Sequence, residues 1–415
     1  MGYHKLFICL VTVTTIASFI NYRYIRLPKT IFLTFSSAIL SLCIILISLI
    51  APVEIKGVYR LLSGIDFRST ILDVMLGYLL FASTLRVNSM HIKKELSSVI
   101  YLSSFGVVLS AAATGGLLWL VSYHFNMALS WIDCLIFGAL ISPIDAIAVV
   151  SIFKASPMLP QKIEARIIGE SLFNDAVSVM LLIGLTEAFY FVSDYNIFRF
   201  TASLVQEFCG AILCGLLAGW FTSKLLQQID DNELTILITI SLTSLSYMAA
   251  QQLGASPIIT MVIIGLYVGW QNENKSFSAT TSTALNNFWE LVDDILNAFM
   301  FVLIGLEMLT IPFTKTIVAM GLISVAIVFA SRYFSIYLAN LILFKLFIAR
   351  VQSPYSLKEC FIMSWGGLRG GISLALAWSV VRLSPNLLPI TYIVVVASIL
   401  IQGITLKSLI ERLLK

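Results

Sequence analysis

Charged residues are scarce in this sequence. Only 12% of its 415 residues are Asp, Glu, Lys or Arg, about half of the roughly 25% that is typical of a soluble domain. Histidine is scarcer still, with three residues, and none of the six cysteines forms a CxxC pair. A disulfide framework or a cysteine-based metal site is therefore not expected. The net charge of +4 is too small to indicate a nucleic-acid partner.

Long apolar segments make up most of the chain. Hydrophobic residues account for 59% of it, and its mean hydropathy is +0.96. Apolar stretches of about 15 to 25 residues recur from end to end, as in a polytopic helical membrane protein. We predict a single all-α membrane domain over residues 1–415 with about 13 transmembrane helices. Their predicted bounds are 6–21, 30–51, 70–85, 98–123, 132–153, 167–192, 201–227, 234–252, 256–271, 289–310, 316–345, 358–381 and 388–406.

The distribution of Lys and Arg predicts how these helices are oriented. With the N-terminus outside, 17 of the 26 basic residues fall in predicted inner loops and 7 on the outer side. Because cytoplasmic loops are enriched in Lys and Arg, we expect an outer N-terminus and a cytoplasmic C-terminus in the inner (plasma) membrane. The two remaining basic residues, Arg332 and Arg369, lie inside predicted helices.

Two predicted helices contain residues that interrupt a helix. Pro143 lies in the middle of the helix predicted at 132–153, where it removes a backbone hydrogen bond and disfavours helical geometry in the preceding residue. Glycines surround Arg369 in the helix predicted at 358–381; they are Gly366, Gly367, Gly370 and Gly371. Kinks are common in membrane helices. A pair of oppositely directed, interrupted helices is nevertheless typical of inverted-repeat transporters with a site at mid-membrane.

Polar and charged side chains also occur inside the predicted helices. In the segment GESLFNDAVSVMLL, at about 100° per residue, Glu170, Ser171, Asn174 and Asp175 fall within about 140° of one helix face. A charge at the bilayer centre costs about 2.5–3.5 kcal/mol. We therefore expect this face, and Asp145 in the helix with the proline, to contact protein or water rather than lipid.

Two interpretations of the buried charges remain open: structural ion pairs between helices, and an ion-binding site. Three acids and two bases cannot all pair one to one, so at least one carboxylate is left over, and burial without a partner favours its protonated form. Carboxylate, hydroxyl and free carbonyl oxygens also suit a hard cation. A group that holds either a proton or a cation is the minimum requirement for exchanging the two.

A cation channel and a membrane-embedded enzyme are the alternative classes. The sequence contains no recognisable filter-like loop of a channel. It also contains no His, Cys or Ser set near a predicted membrane interface that would indicate catalysis. No enzymatic activity and no cofactor are expected.

Four motifs connect the chain to a known family. The segments LISPIDAIAVVSIFK, GESLFNDAVSV, FVLIGLEM and WGGLRGGISLALA occur in the family's order and spacing. The chain resembles a bacterial NhaP-type sodium/proton antiporter of the monovalent cation/proton antiporter family, which includes the eukaryotic NHE exchangers. The resemblance extends from about residue 70 to the end. It implies two interrupted helices that cross at mid-membrane, a homodimer embedded in lipid, and Na⁺/H⁺ exchange for pH and cation homeostasis.

The resemblance also implies a division of labour within the chain. A dimerisation or scaffold part would comprise residues 1–96 and 230–312, and a core transport part residues 97–195 and 313–415. A linking helix would occupy residues 196–229. The transport part would move like an elevator to expose the site to either side in turn.

The same resemblance assigns roles in cation and proton binding. Asp175 matches the essential aspartate that binds both ions, and Asp145 matches a second aspartate in the interrupted helix. Ser171 matches a hydroxyl ligand of the monovalent cation. The family's threonine is replaced by Ile144, whose backbone carbonyl could still ligate.

A second set of residues is implied to support the site. Glu170 and Arg332 match a buried structural ion pair, and Asn174 is expected to bridge them. Arg369 matches the arginine in the second helix break. Since Asn174 cannot titrate, the family pattern implies electroneutral exchange of one cation for one proton.

Departures from the family pattern leave the ion preference open. The usual threonine–aspartate–proline reads Ile144-Asp145-Ala146, a glutamate found in many relatives is replaced by Ala82, and the residue before the GES motif is Ile168. Fewer oxygen ligands keep Li⁺ and K⁺ as alternatives to Na⁺, including a K⁺/H⁺-selective exchanger. No long polar segment follows the last predicted helix, so we expect regulation by pH to act through the site.

Overall fold

The computed structural model describes residues 2–50, 75–87, 89–124, 129–145, 159–191, 197–346 and 355–414. Within these ranges the structure is helical and contains no strand, which confirms the all-α prediction. The main helices are α1 (Gly2–Ile20), α2 (Lys29–Ile50), α3 (Leu76–Leu85), α4 (Ser89–Tyr101), α5 (Val107–His124), α6 (Trp131–Ile141), α7 (Gln161–Thr186), α8 (Ile197–Leu226), α9 (Asn232–Gln252), α10 (Pro257–Glu273), α11 (Ala279–Glu307), α12 (Lys315–Leu346), α13 (Leu357–Trp365), α14 (Gly371–Ser379), α15 (Leu387–Ala397) and α16 (Gly403–Leu413).

Eight helices of the described part are long and apolar enough to cross a membrane. They span Phe7–Ile25, Lys29–Ile47, Lys94–His124, Gln161–Tyr190, Val205–Leu226, Asn232–Gln252, Lys315–Ile342 and Leu387–Leu413. The chain is therefore a multi-pass membrane protein. The larger predicted number of about 13 crossings stays a prediction.

Several helices begin earlier than hydropathy predicts. The helix predicted from residue 98 begins at Ser89, the one predicted from 167 begins at Gln161, and the one predicted from 289 begins at Ala279. Hydropathy marks only the apolar part of a helix, whereas the hydrogen-bonded helix continues into polar sequence.

One early start corrects a predicted position. Arg166 falls between the helices predicted at 132–153 and 167–192 and is therefore expected in an inner loop, but it belongs to α7 and is 1% exposed. Its guanidinium carbon lies 4.1 Å from the centre of the Tyr355 ring. Guanidinium groups stack favourably on aromatic faces, so burial beside Tyr355 replaces the expected contact with solvent.

The two interrupted helices begin with capping boxes. Ser130 Oγ accepts from the backbone N–H of Asp133 at 3.1 Å, and the Asp133 carboxylate accepts from the N–H of Ser130 at 3.1 Å. Ser356 and Glu359 form the same reciprocal pair at the start of α13. These pairs satisfy N–H groups that the first helical turn leaves free, and so they define where α6 and α13 begin.

Both helices end where an interruption is predicted. Helix α6 ends at Ile141, and residues 142–145 are not helical; the rest of the helix predicted to reach residue 153 lies outside the described residues. Helix α13 ends at Trp365 and α14 begins at Gly371, so the segment around Arg369 is also non-helical. These two non-helical segments are called the first break (142–145) and the second break (366–370).

The chain forms two compact units. One consists of Met1–Ile71, Ser97–Leu185 and Ala298–Lys415, and it contains both breaks. The other consists of Leu72–Leu96 and Thr186–Asn297. Its interior includes Trp289, which is 1% exposed, packs edge-on against Phe81 and donates from Nε1 to Thr239 Oγ1 at 3.1 Å. The division into dimerisation and transport parts stays a prediction.

Candidate ion-binding site

The two breaks contact each other through hydrogen bonds. The backbone N–H of Asp145 donates to the carbonyl oxygen of Leu368 at 2.8 Å. Arg369, in the second break, also contacts the first break, because its Nη1 donates to the carbonyl oxygens of Pro143 at 3.0 Å and Ser142 at 2.5 Å. A break frees backbone groups that must be satisfied in an apolar interior. Each break therefore satisfies polar groups of the other.

Two glycines of the second break are required because neighbouring side chains pack directly against their Cα atoms. A Cβ atom at Gly370 would collide with the carboxylate of Asp145, and one at Gly367 would collide with the guanidinium of Arg332. Gly371 is similarly close to Met300, whose Sδ would lie 2.8 Å from an added Cβ. These side chains can lie against the backbone of the break only because glycine has no Cβ.

Ser398 contacts the second break, which the sequence did not predict. A wide π-helical turn over Ser398–Gln402 follows α15. In this turn, Ser398 Oγ accepts from the backbone N–H of Arg369 at 3.1 Å and donates to Gln402 Oε1. Such turns are often found at functional sites, and this one satisfies a free N–H group in the second break.

The polar face of α7 is buried beside the first break. Glu170, Ser171, Asn174 and Asp175 are 2%, 4%, 0% and 2% exposed. Ser171 Oγ donates to the carbonyl oxygen of Ile144 at 2.6 Å, which joins α7 to the first break. The predicted location of this face in the protein interior is thus observed.

Glu170 and Arg332 form a bidentate buried ion pair. Nη1 and Nη2 of Arg332 donate to the two carboxylate oxygens of Glu170 at 2.9 and 3.2 Å. Nη2 also donates to the carbonyl oxygen of Met363 at 3.3 Å, in the last turn of α13. The predicted pair is present, and through Arg332 it joins α7, α12 and α13.

The bridge predicted through Asn174 is not observed. Neither its Oδ1 nor its Nδ2 has a hydrogen-bond partner in the described part of the chain. Arg332 instead directs two nitrogens to Glu170 and one of these also to Met363. The pair is complete without a bridging amide.

Asn174 belongs to a cluster of polar atoms without partners on α7. Asp175 Oδ1 and Ser178 Oγ likewise lack hydrogen-bond partners among the described residues, and Ser178 is 0% exposed. Most buried polar groups in native proteins are satisfied by protein, water or an ion. Ser178 was missed by the sequence analysis, although at about 80° on the same helical wheel it lies within the polar face.

The predicted binding residues therefore converge in one compact unit. Ser171 Oγ donates to the carbonyl oxygen of Ile144; Asp145 directly follows Ile144 in the first break, and Asp175 lies about one helical turn after Ser171 on α7. Over the described ranges, no three His, Cys, Asp or Glu side chains form a cluster suited to a metal ion. The arrangement brings two carboxylates, one hydroxyl and one carbonyl oxygen together.

Known proteins are similar to this chain in sequence and in fold. The family model described as "Sodium/hydrogen exchanger, transmembrane" matches residues 10–412. The chain is 34% identical over 411 residues to the Na(+)/H(+) antiporter NhaP of Pseudomonas aeruginosa, covering 97% of this chain and 95% of that protein. It is 32% identical over 359 residues to the Na(+)/H(+) antiporter NhaH of Halobacillus dabanensis, covering 84% of each.

A solved structure has the same fold. The sodium proton antiporter MjNhaP1 from Methanocaldococcus jannaschii aligns over 100% of both chains with a TM-score of 0.76 at 16% sequence identity. At that identity the likeness concerns the fold alone. Because the family model and the 34% identical relative both cover nearly the whole chain, the chain belongs to the sodium/hydrogen exchanger family.

Proposed function

We propose that the protein is a secondary active antiporter that exchanges Na⁺ for H⁺ across the cell membrane, in support of pH and cation homeostasis. The observation that carries this proposal is Asp175. This residue is 2% exposed, and its Oδ1 lacks a hydrogen-bond partner within the described ranges. The names of the relatives, which are Na⁺/H⁺ antiporters, support the same exchange.

Asp175 binds a proton in one half of the cycle and the cation in the other, because one carboxylate oxygen cannot hold both. Asp145 supplies a second carboxylate to the cation, while Ser171 and the carbonyl of Ile144 supply neutral oxygens of the kind that hard cations prefer. Ser171 Oγ donates a hydrogen bond to the carbonyl oxygen of Ile144, which holds both oxygens at the same site. Glu170, Asn174, Arg332 and Arg369 support the site.

The test is the variant Asp175→Asn in purified proteoliposomes. We expect it to abolish Na⁺-driven proton release, since an amide cannot titrate, while expression and folding remain normal. Asp294→Asn is the matched control, because Asp294 is an exposed acid on α11. Exchange by Asp175→Asn at the wild-type rate would refute the assignment.

Charge counting indicates electroneutral exchange of one Na⁺ for one H⁺. Asn174 does not titrate, and the charge of Glu170 is balanced by Arg332. If Asp145 stays ionised throughout, one proton replaces one cation at Asp175. A potential imposed with K⁺ and valinomycin should then leave proton flux unchanged, once K⁺ is excluded as a substrate. Acceleration or reversal by voltage alone would identify Asp145 as a second proton carrier.

Ion preference follows from the same ligand set. The isoleucine at 144 removes a side-chain hydroxyl, and one oxygen ligand fewer leaves Na⁺, Li⁺ and K⁺ as candidate substrates. Their order of preference is measured by adding each cation in turn to everted vesicles and following the collapse of a pH gradient. Proton release with K⁺ but not Na⁺ would favour a K⁺/H⁺ exchanger.

The assembly and orientation are part of the proposal. The protein functions as a homodimer in the plasma membrane, with its N-terminus outside and its C-terminus in the cytoplasm. The excess of Lys and Arg in the predicted inner loops supports this orientation. Cysteines placed one at a time near each end, and labelled from one side with an impermeant reagent, test the orientation.

A further inference from the structure

Four buried helical serines have an Oγ without a hydrogen-bond partner among the described residues: Ser178, Ser223, Ser331 and Ser373. Of these four, Ser178 is the one that lies on α7 beside Asp175. A serine inside a helix commonly donates to the carbonyl oxygen four residues earlier. Ser324 on α12 donates in this way to Met320 at 2.7 Å, and Ser364 on α13 donates to Cys360 at 2.7 Å. Ser178 is 0% exposed, yet its Oγ has no hydrogen-bond partner in the part of the chain that the structure describes.

The neighbours of Ser178 lack partners in the same way. Asp175 and Asn174 precede it by three and four residues, so all three side chains are adjacent on one helix face, with Cβ atoms about 5–6 Å apart. An unpaired buried polar group destabilises the folded protein because it has lost its hydrogen bonds to water. Three such groups within one helical turn indicate that a polar occupant lies between them.

We propose that Ser178 is a further ligand of the cation that Asp175 binds; this inference rests on the proposed antiport function. A carboxylate oxygen and a hydroxyl oxygen about one turn apart can bind one hard cation. Ser171 supplies a hydroxyl four residues before Asp175, and Ser178 supplies one three residues after it. Ser178 thereby provides the side-chain hydroxyl that Ile144 cannot offer.

The test compares cation dependence in proteoliposomes for wild type, Ser178→Ala and Ser178→Cys. We expect KM for Na⁺ to rise roughly 2- to 12-fold in both variants, as for the loss of one neutral polar contact, while kcat changes little. The cysteine variant retains the side-chain volume but replaces the hydroxyl with a soft thiol that Na⁺ disfavours. It therefore keeps the test valid if the alanine variant folds poorly.

A second measurement separates ligation from a structural role. Na⁺ that binds only the folded protein raises its stability by RT ln(1 + c/Kd), where c is the free Na⁺ concentration. A higher Kd therefore means that both Ser178 variants should require more Na⁺ for the same stabilisation. Ser324→Ala is the matched control: it removes an equally buried hydroxyl that has a partner, and its KM should equal that of wild type.

The outcomes distinguish this inference from the function on which it rests. If wild type shows no Na⁺-driven exchange, the proposed function itself fails. If wild type exchanges and Asp175→Asn does not, but both Ser178 variants keep the wild-type KM and Na⁺ stabilisation, the inference is overturned. In that case the occupant beside Ser178 is water rather than the transported cation.

Discussion

Removal of one partner of the Glu170–Arg332 pair should strongly destabilise the protein. The side chains of Arg332 and Glu170 are 6% and 3% exposed and meet at 2.9 Å. Truncation of one partner leaves the other as an unpaired buried charge, which costs about 3–5 kcal/mol. We therefore expect Glu170→Ala and Arg332→Ala each to lower the free energy of unfolding by about this amount. If the two losses were additive, the double variant would lose about 6–10 kcal/mol.

The double variant Glu170→Leu with Arg332→Met should instead recover most of the stability. Apolar residues of similar volume replace a buried ion pair at little cost. The remaining loss is the hydrogen bond from Arg332 to the carbonyl of Met363, and an unpaired carbonyl costs about 1–3 kcal/mol. The coupling energy of the pair is then at least about 3 kcal/mol.

The free energy of unfolding is measured by titration with sodium dodecyl sulfate in mild detergent, with exchange assayed in parallel. Glu290→Ala is the control, because the Arg86–Glu290 pair is longer, at 3.4 Å, and its side chains are 25% and 54% exposed. An exposed pair contributes about 0–1 kcal/mol. A double variant no more stable than the worse single variant would refute the pair's structural role.

Two further predictions concern backbone approach and polar satisfaction. Gly370→Ala should sharply reduce exchange, because the new Cβ would displace the Asp145 carboxylate. Gly116→Ala is the control and should keep wild-type exchange, since nothing lies within 4 Å of its Cβ position. Equal exchange rates of the two variants in vesicles would contradict the close approach of Asp145 to Gly370. Asn340→Ala should lower the free energy of unfolding by about 2–4 kcal/mol, because its amide is paired at 2.8 and 3.0 Å with the backbone of residue 355. Asn174→Ala, whose amide atoms lack partners in the described ranges, should cost less than about 1 kcal/mol; equal losses in the same detergent titration would be inconsistent with the structure.

Local sequence predicts much of the fold. Apolar runs, the proline and glycines of the two breaks and the polar residues of α7 act within a few residues. They correctly predicted an all-helical membrane protein, the non-helical segments around Pro143 and Arg369, and the polar face of α7. The capping residues Ser130 and Ser356 mark the starts of α6 and α13 for the same reason, since a cap satisfies N–H groups of its own first turn.

The sequence by itself therefore determined that the chain is helical, that α6 and α13 end at the proline and the glycines, and that Glu170, Ser171, Asn174 and Asp175 share one face of α7. The tertiary structure decided which buried polar groups have hydrogen-bond partners. The backbone N–H of Asp145 donates a hydrogen bond to Leu368, more than two hundred residues away in sequence. Arg166 is buried against the ring of Tyr355, and Asn174 does not form the predicted bridge between Glu170 and Arg332. These outcomes depend on which helices pack together, because a buried polar atom is satisfied or left free by neighbours distant in sequence.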